Sequence, residues 1–194
     1  MNGKIILVTG YCATGKTTFS RKLSQKLEVP CFNKDTIKEV IGDGFGIENK
    51  DVRAKNSAVT FQLMLHIAEK FLQIGKTCII ESDCGLEESE QINKLLEKYN
   101  SDGLTLLFKG DLEILYERYV EREKSGNRHW VHIDETEDKD SFINGHLYFR
   151  LGEVKVGKTI QIDATYFDKI NYEDLFAAAK NFILLANSSF YYLI

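Results

Sequence analysis

Residues 10–18 read Gly-Tyr-Cys-Ala-Thr-Gly-Lys-Thr-Thr. The spacing Gly10-x-x-x-x-Gly15-Lys16-Thr17 is the Walker A pattern, and each part has a chemical reason. A loop that wraps a polyphosphate must turn its main-chain N–H groups inward, so the whole run contributes: Gly10, Tyr11, Cys12, Ala13, Thr14, Gly15, Lys16, Thr17 and Thr18. Side chains at the two glycines would obstruct that turn. The N-terminus of the following helix adds the positive end of its dipole. Lys16 supplies a full charge for the β- and γ-phosphates, and the Thr17 hydroxyl suits Mg²⁺, which prefers oxygen ligands. Cys12 lies near the dipole, where a thiol can be activated; filling a variable loop position is the plainer account.

Other side chains capable of chemistry stand at element ends. Asp35 follows a short apolar run, and Glu81 and Asp83 follow another. Arg118 and Arg122 are four apart, hence on one helix face, with Arg128 just beyond. Guanidinium groups suit a migrating phosphoryl, whose charge must be spread and neutralised. The competing account is a surface helix laced by Glu117, Glu121 and Glu123. In "RHWVH", His129 and His132 lack a third ligand for a metal site, so an aromatic anchor built around Trp130 is expected.

The elements that must position these groups alternate between strand-like and helix-like runs, which argues for an α/β fold with a mostly parallel sheet. Lys4–Thr9, with unbroken Ile-Ile-Leu-Val, suits a central strand buried on both faces. A helix is expected over 15–28, with Phe19, Leu23 and Leu27 on one face. "PCF" is a second strand, and Asp35 opens a second helix that ends near Gly42. "DGFGIENK" reads as a glycine-rich loop, followed by a long helix over 51–74. "KTCII", "LTLLF" and "TIQIDA" are the remaining strands, with helices over 87–99, 111–123 and 172–185. Residues 124–145 are polar, charged and aperiodic and are expected to form a lid. The tail "SSFYYLI" is apolar, with packing on the body and self-association both open.

The 194 residues suffice for one domain with a full core, taken as 1–194. The formal charge of −4 excludes an overall basic field for nucleic acid, though not a local basic cleft. None of the four cysteines forms a C-x-x-C pair, and Cys31 and Cys78 read as small core hydrophobes. "MNGKIILVTG" is too short and too early for a secretory signal, and no apolar stretch approaches membrane-spanning length. A reduced, cytoplasmic setting is expected, with the oligomeric state open.

The runs "KIILVTGYCATGKTT", "CFNKDTIKEVI" and "ESDCGLEE" resemble the small P-loop kinases. These include the nucleoside-monophosphate, shikimate and gluconate kinases; the likeness is greatest to the polynucleotide-kinase, zeta-toxin and antibiotic-phosphotransferase branch. The resemblance implies a five-stranded parallel sheet of order 2-3-1-4-5, helices on both faces, a mobile lid, and ATP with Mg²⁺ as cofactors. It implies that Asp35 accepts the proton of the attacking hydroxyl, against the plainer account that Asp35 caps its helix. Lys38, one turn on, matches a basic substrate-binding position, and Arg53 offers a further charge. Asp83 matches an aspartate that holds Mg²⁺ or a substrate hydroxyl; Glu81, still within its strand, could face either side of the sheet. Arg118 and Arg122 match a lid-proximal pair, one on the adenine and one on the transferred phosphoryl. Asp163, Ala164 and Thr165 fall where the loop passes the adenine.

A GTPase would need N-K-x-D, and "NKD" at 33–35 has the wrong spacing and comes too early. An AAA+ or transport ATPase would need a larger chain, sensor arginines or a signature motif. The expected activity is transfer of a γ-phosphoryl to a hydroxyl of a small molecule such as a nucleoside, sugar or aminoglycoside-like alcohol. The alternatives are a polynucleotide or nucleotide kinase and a non-catalytic nucleotide sensor. The loop at 42–53 is expected to form the acceptor site, with Phe45, Ile47 and Phe61 as apolar walls or core.

Overall fold

The computed structural model describes residues 2–46, 49–126, 128–132 and 138–185. Strands β1 (Lys4–Gly10), β2 (Cys31–Asn33), β3 (Cys78–Glu81), β4 (Asp102–Lys109) and β5 (Lys158–Asp163) form one parallel sheet of order β2-β3-β1-β4-β5. Between them run α1 (Lys16–Leu27), α2 (Lys34–Phe45), α3 (Lys50–Gln73), α4 (Leu86–Lys98), α5 (Leu112–Lys124) and α6 (Lys139–Tyr148), and α7 (Tyr172–Leu184) closes the described chain.

Strand β1 is buried along its whole length, and its side chains alternate between two cores. Ile5 and Leu7 pack on one face with Phe61, Met64 and Leu72 of α3 and Ile92 and Leu96 of α4. Ile6 and Val8 pack on the other with Phe19 and Leu23 of α1 and Leu175 and Phe176 of α7. A third cluster of Leu115, Tyr119 and Phe142, from α5 and α6, carries Tyr11, Cys12 and Ala13 against it. The phosphate loop is thereby packed on α5 and α6.

All strands point the same way, so their C-terminal ends share one edge, where ligands bind in open α/β sheets. Register places Val8 opposite Glu81 and Glu81 opposite Asn33. Gly10 stands opposite Phe108 with φ 119°, and a Cβ there would meet the Phe108 carbonyl oxygen at 1.9 Å. Gly10→Ala is therefore expected to destabilise the fold by about 3 kcal/mol or more, measured by chemical denaturation. A variant as stable as wild type would contradict this close approach.

Two segments depart from the sequence reading. Helix α2 is capped by Asn33, whose Oδ1 accepts the Thr36 N–H at 2.7 Å; Asp35 sits inside the first turn and is not the cap. The helix then runs through Gly42 and Gly44 to Phe45, where a loop was expected, because Gly42 is buried in its packed face. Each glycine costs roughly 1 kcal/mol relative to alanine, which packing of α2 on α3 offsets. Phe61 is core, and Phe45 is exposed at the helix end; Ile47 lies outside the described residues. Residues 124–145, expected to form an aperiodic lid, are not aperiodic throughout: they hold a short 3₁₀ turn, Trp130–His132, and most of α6, which buries Phe142 and His146. Residues 133–137 and the apolar tail lie outside the described residues.

Candidate active site

A cavity of about 580 Å³ opens at the C-terminal edge of the sheet. Its floor is the phosphate loop. Gly15, at φ 80°, precedes α1 with no side-chain cap, so the first N–H groups of that helix remain open to an anion. Lys16 is buried and its Nζ donates to the carbonyls of Gly10 at 3.0 Å and Tyr11 at 2.6 Å. Thr14 Oγ1 donates to the same Tyr11 carbonyl. Cys12 to Thr18 line the cavity, whereas the Tyr11 ring turns away and packs edge-on against His146.

Behind the loop, Thr17 Oγ1 donates to Glu81 Oε1 at 3.3 Å. Glu81 is buried, and its second oxygen, Oε2, has no hydrogen-bond partner among the described residues. Burial pushes its carboxyl up to about 7; Asp35 and Asp83 add to the rise, and Lys16 and Thr17 oppose it. A buried carboxylate with one orphaned oxygen beside a threonine hydroxyl is the kind of hard oxygen set that fits Mg²⁺. Asp83, the carboxylate favoured from sequence, is exposed on the next loop and faces Lys34 and Lys38.

The opposite wall comes from α2 and α3. Asp35 lines the cavity from the first turn of α2, together with Lys38 and, from α3, Arg53. Lys34, also lining it, is buried and bonded to Glu88 at 2.8 Å. Burial lowers the Lys38 ammonium from its ordinary value, and the charges of Arg53 and Lys34 add to this, while Asp35 and Asp83 oppose it. The lining carries seven lysines and arginines against three carboxylates, in a chain whose net charge is −4. This is the local basic cleft that the overall charge left open.

Helix α5 supplies the arginines. Arg122 Nη2 lies 3.3 Å from Cys12 Sγ, at the phosphate loop. Arg128 pairs with Glu123 and lines the cavity from just beyond α5. Arg118 spans from α5 to the loop after β5: it donates to the carbonyls of Ala164 and Thr165 and stacks at 4.0 Å on Phe167. Asp163 and Thr165 are engaged locally: Asp163 accepts the Thr165 N–H, and Thr165 Oγ1 accepts the Asp111 N–H. Neither side chain is among the cavity lining; Phe167 is, and no motif marked it beforehand.

The "RHWVH" run is bonded to α2. His132 Nε2 lies 2.9 Å from Glu39 Oε1, Trp130 Nε1 donates to Asp43 Oδ1 at 2.8 Å, and His129 Nε2 lies 3.3 Å from Asp43 Oδ2. Glu39 and Asp43 are four apart on α2, so one helix face receives all three rings. An aromatic anchor was expected; its carboxylate partners were not.

Sheet order, phosphate loop and arginine-bearing α5 together define a P-loop fold of the small-kinase type. Residues 6–141 match the family model described as an AAA domain, and the chain belongs to that family. A protein from Chloroflexus aurantiacus, described provisionally as a kinase, is similar over 93% of this chain and 98% of its own, with 26% identity and a TM-score of 0.81. Two further structures share the fold. A shikimate kinase from Bacteroides thetaiotaomicron matches at 21% identity and TM-score 0.58, over 93% of this chain and 98% of its own. A gluconokinase from Sinorhizobium meliloti matches at 16% and 0.52, over 93% and 91%. No curated protein sequence matches. Among the described residues no helix is long and apolar enough to cross a membrane.

Proposed function

We propose that this protein is an ATP-dependent kinase that transfers the γ-phosphoryl to a hydroxyl of a small acceptor bearing its own negative charge. The observation that carries this reading is one cavity with a phosphate loop and the Thr17–Glu81 pair at one end, and Asp35 among Lys38 and Arg53 at the other. The chain works as a single domain with residues 124–145 as its lid.

Lys16 exchanges its two carbonyl partners for the β- and γ-phosphates, and the loop N–H groups hold the chain of phosphates. Thr17 and Glu81 would hold Mg²⁺, with Asp35 and Asp83 the other carboxylates of the cavity lining. When bound, Mg²⁺ supplies charge neutralisation on the β- and γ-phosphates. Arg118 and Phe167 shape the base end. Asp35 accepts the acceptor's hydroxyl proton as its oxygen bonds to the γ-phosphorus and the bond to the bridging oxygen of ADP breaks. Arg122 and Arg128 spread the charge on the migrating group. Lys38 and Arg53 hold the acceptor's anionic group.

The same cations fit the phosphate of a nucleoside monophosphate, which makes a nucleotide kinase the second reading. A panel of acceptors with γ-labelled ATP and Mg²⁺ separates the two. Label is expected on sugar acids or sugar phosphates rather than on neutral sugars or aminoglycosides; label on nucleotides would favour the second reading. Slow ATP hydrolysis alone, across every class, would sink the kinase proposal. With the acceptor in hand, Lys38→Met or Arg53→Met should raise its KM by about 10- to 100-fold, the size of one charged hydrogen bond, with ATP KM unchanged.

A further inference from the structure

Helix α6 meets the phosphate loop by apolar packing of Phe142 and by one hydrogen bond, from His146. His146 is buried, and its Nδ1 lies 2.7 Å from the Phe142 carbonyl oxygen one turn back. A carbonyl only accepts, so Nδ1 carries the proton. The lone pair of Nε2 is then free to accept the main-chain N–H of Cys12, 2.9 Å away. The neutral Nδ1–H tautomer alone satisfies both bonds. The ring is held by packing against Phe142 at 4.4 Å and edge-on Tyr11 at 5.2 Å. Cys12 is thus gripped twice: its peptide by α6, and its thiol by Arg122 of α5.

We propose that His146 is a positioning residue for the nucleotide: as a neutral imidazole it sets the Cys12 peptide of the phosphate loop, and nucleotide affinity falls when the ring is protonated. The consequence for affinity rests on reading the cavity as the ATP site; the link between His146 and Cys12 does not.

Among the described residues, few groups face the ring. Lys16 of α1 and Asp83 after β3 act on it through charge. The Tyr11 phenol and Cys12 thiol come from the loop, and Glu153 acts on Tyr11. Helix α5 adds Tyr119, in the cluster with Phe142, and Arg122. Burial lowers the imidazole from its ordinary value and Lys16 lowers it further, against the Phe142 carbonyl and Asp83. The neutral ring therefore persists to pH values at which a free imidazole is already charged. Below that, a proton on Nε2 would point at the Cys12 N–H, and two donors repel. The coupling is present at neutral pH and lost on acidification.

The test uses the ligand-free full chain and then ATP. In ¹⁵N-labelled wild type, the Cys12 amide resonance is expected to titrate with the midpoint of the His146 ring protons. His146→Phe keeps the packing and removes the acceptor; its Cys12 amide should exchange faster. His146→Gln offers an uncharged acceptor and should restore protection with no titration at Cys12. By calorimetry at neutral pH, His146→Phe should bind ATP about five- to tenfold more weakly, the size of one net hydrogen bond, and His146→Gln within about twofold of wild type. The acid loss of affinity should shrink in His146→Gln. A Cys12 amide indifferent to His146, or wild-type ATP affinity in His146→Phe, would overturn the proposal. A wild type that binds no ATP, with a Cys12 amide that follows His146, would overturn the nucleotide reading and the affinity claim with it.

Discussion

Asp35→Asn is expected to bind ATP as wild type does and to transfer phosphoryl about 10²- to 10⁴-fold more slowly, the usual contribution of a positioned general base. The substitution keeps size and shape and removes the ability to take a proton. Its structural cost is small. Asn33, not Asp35, satisfies the Thr36 N–H, so the cap of α2 survives. What is lost is one negative charge in the first turn, worth about 0.3–1 kcal/mol of helix–dipole interaction. Stability and catalysis are therefore separable at neighbouring positions. Asn33→Ala should cost about 1 kcal/mol of stability and leave turnover largely intact, while Asp35→Asn should do the reverse. Single-turnover transfer with labelled ATP, beside calorimetric ATP binding, checks both. Undiminished transfer by Asp35→Asn would remove the base from the mechanism.

Glu81→Gln should also lose activity, but in a metal-free protein that is more stable than wild type. Burial holds the Glu81 carboxyl at about 7, above its ordinary 4.5. A carboxyl raised in the folded state favours folding fully below its unfolded value and loses that contribution as pH rises through its folded value. Between pH 4.5 and 7 the metal-free wild type is thus expected to lose on the order of 3 kcal/mol relative to a neutral side chain at this position. Melting in the presence of a chelator should show Glu81→Gln matching wild type in acid and exceeding it at pH 8. Added Mg²⁺ should reverse the ranking, because it stabilises the chain that binds it. Transfer at saturating ATP should fall by about 10²- to 10³-fold. A stability difference that does not change with pH, or full activity in the variant, would show that Glu81 is a spectator.

Much of this architecture is legible in one dimension. The unbroken apolar β1, the Gly10–Thr17 spacing and the alternating helices announce a phosphate loop at the edge of a parallel sheet, and the resemblance supplied the strand order. What escaped was set by distant neighbours. Whether Glu81 faces Thr17 depends on the register of β3 on β1, which no local pattern encodes. His146 carries no motif, because its ring takes the place of an apolar side chain in the packing of α6 on Tyr11 and Phe142. The glycines of α2 argued for a loop, and packing on α3 overrode them. Phe167 carries no motif; its place depends on Arg118, 49 positions earlier in the chain, being drawn across to the loop after β5.

The bonds that join the 3₁₀ turn to α2 have an optical consequence. Trp130 is the sole tryptophan of the chain, and it lies at that junction with its N–H on Asp43 and a histidine ring beside it. Indole emission responds to such a carboxylate and imidazole neighbourhood, so separation of this turn from α2 would change the native fluorescence with no label attached. Stopped-flow mixing with ATP or acceptor could then time that separation against the proposed phosphoryl transfer in the unmodified protein.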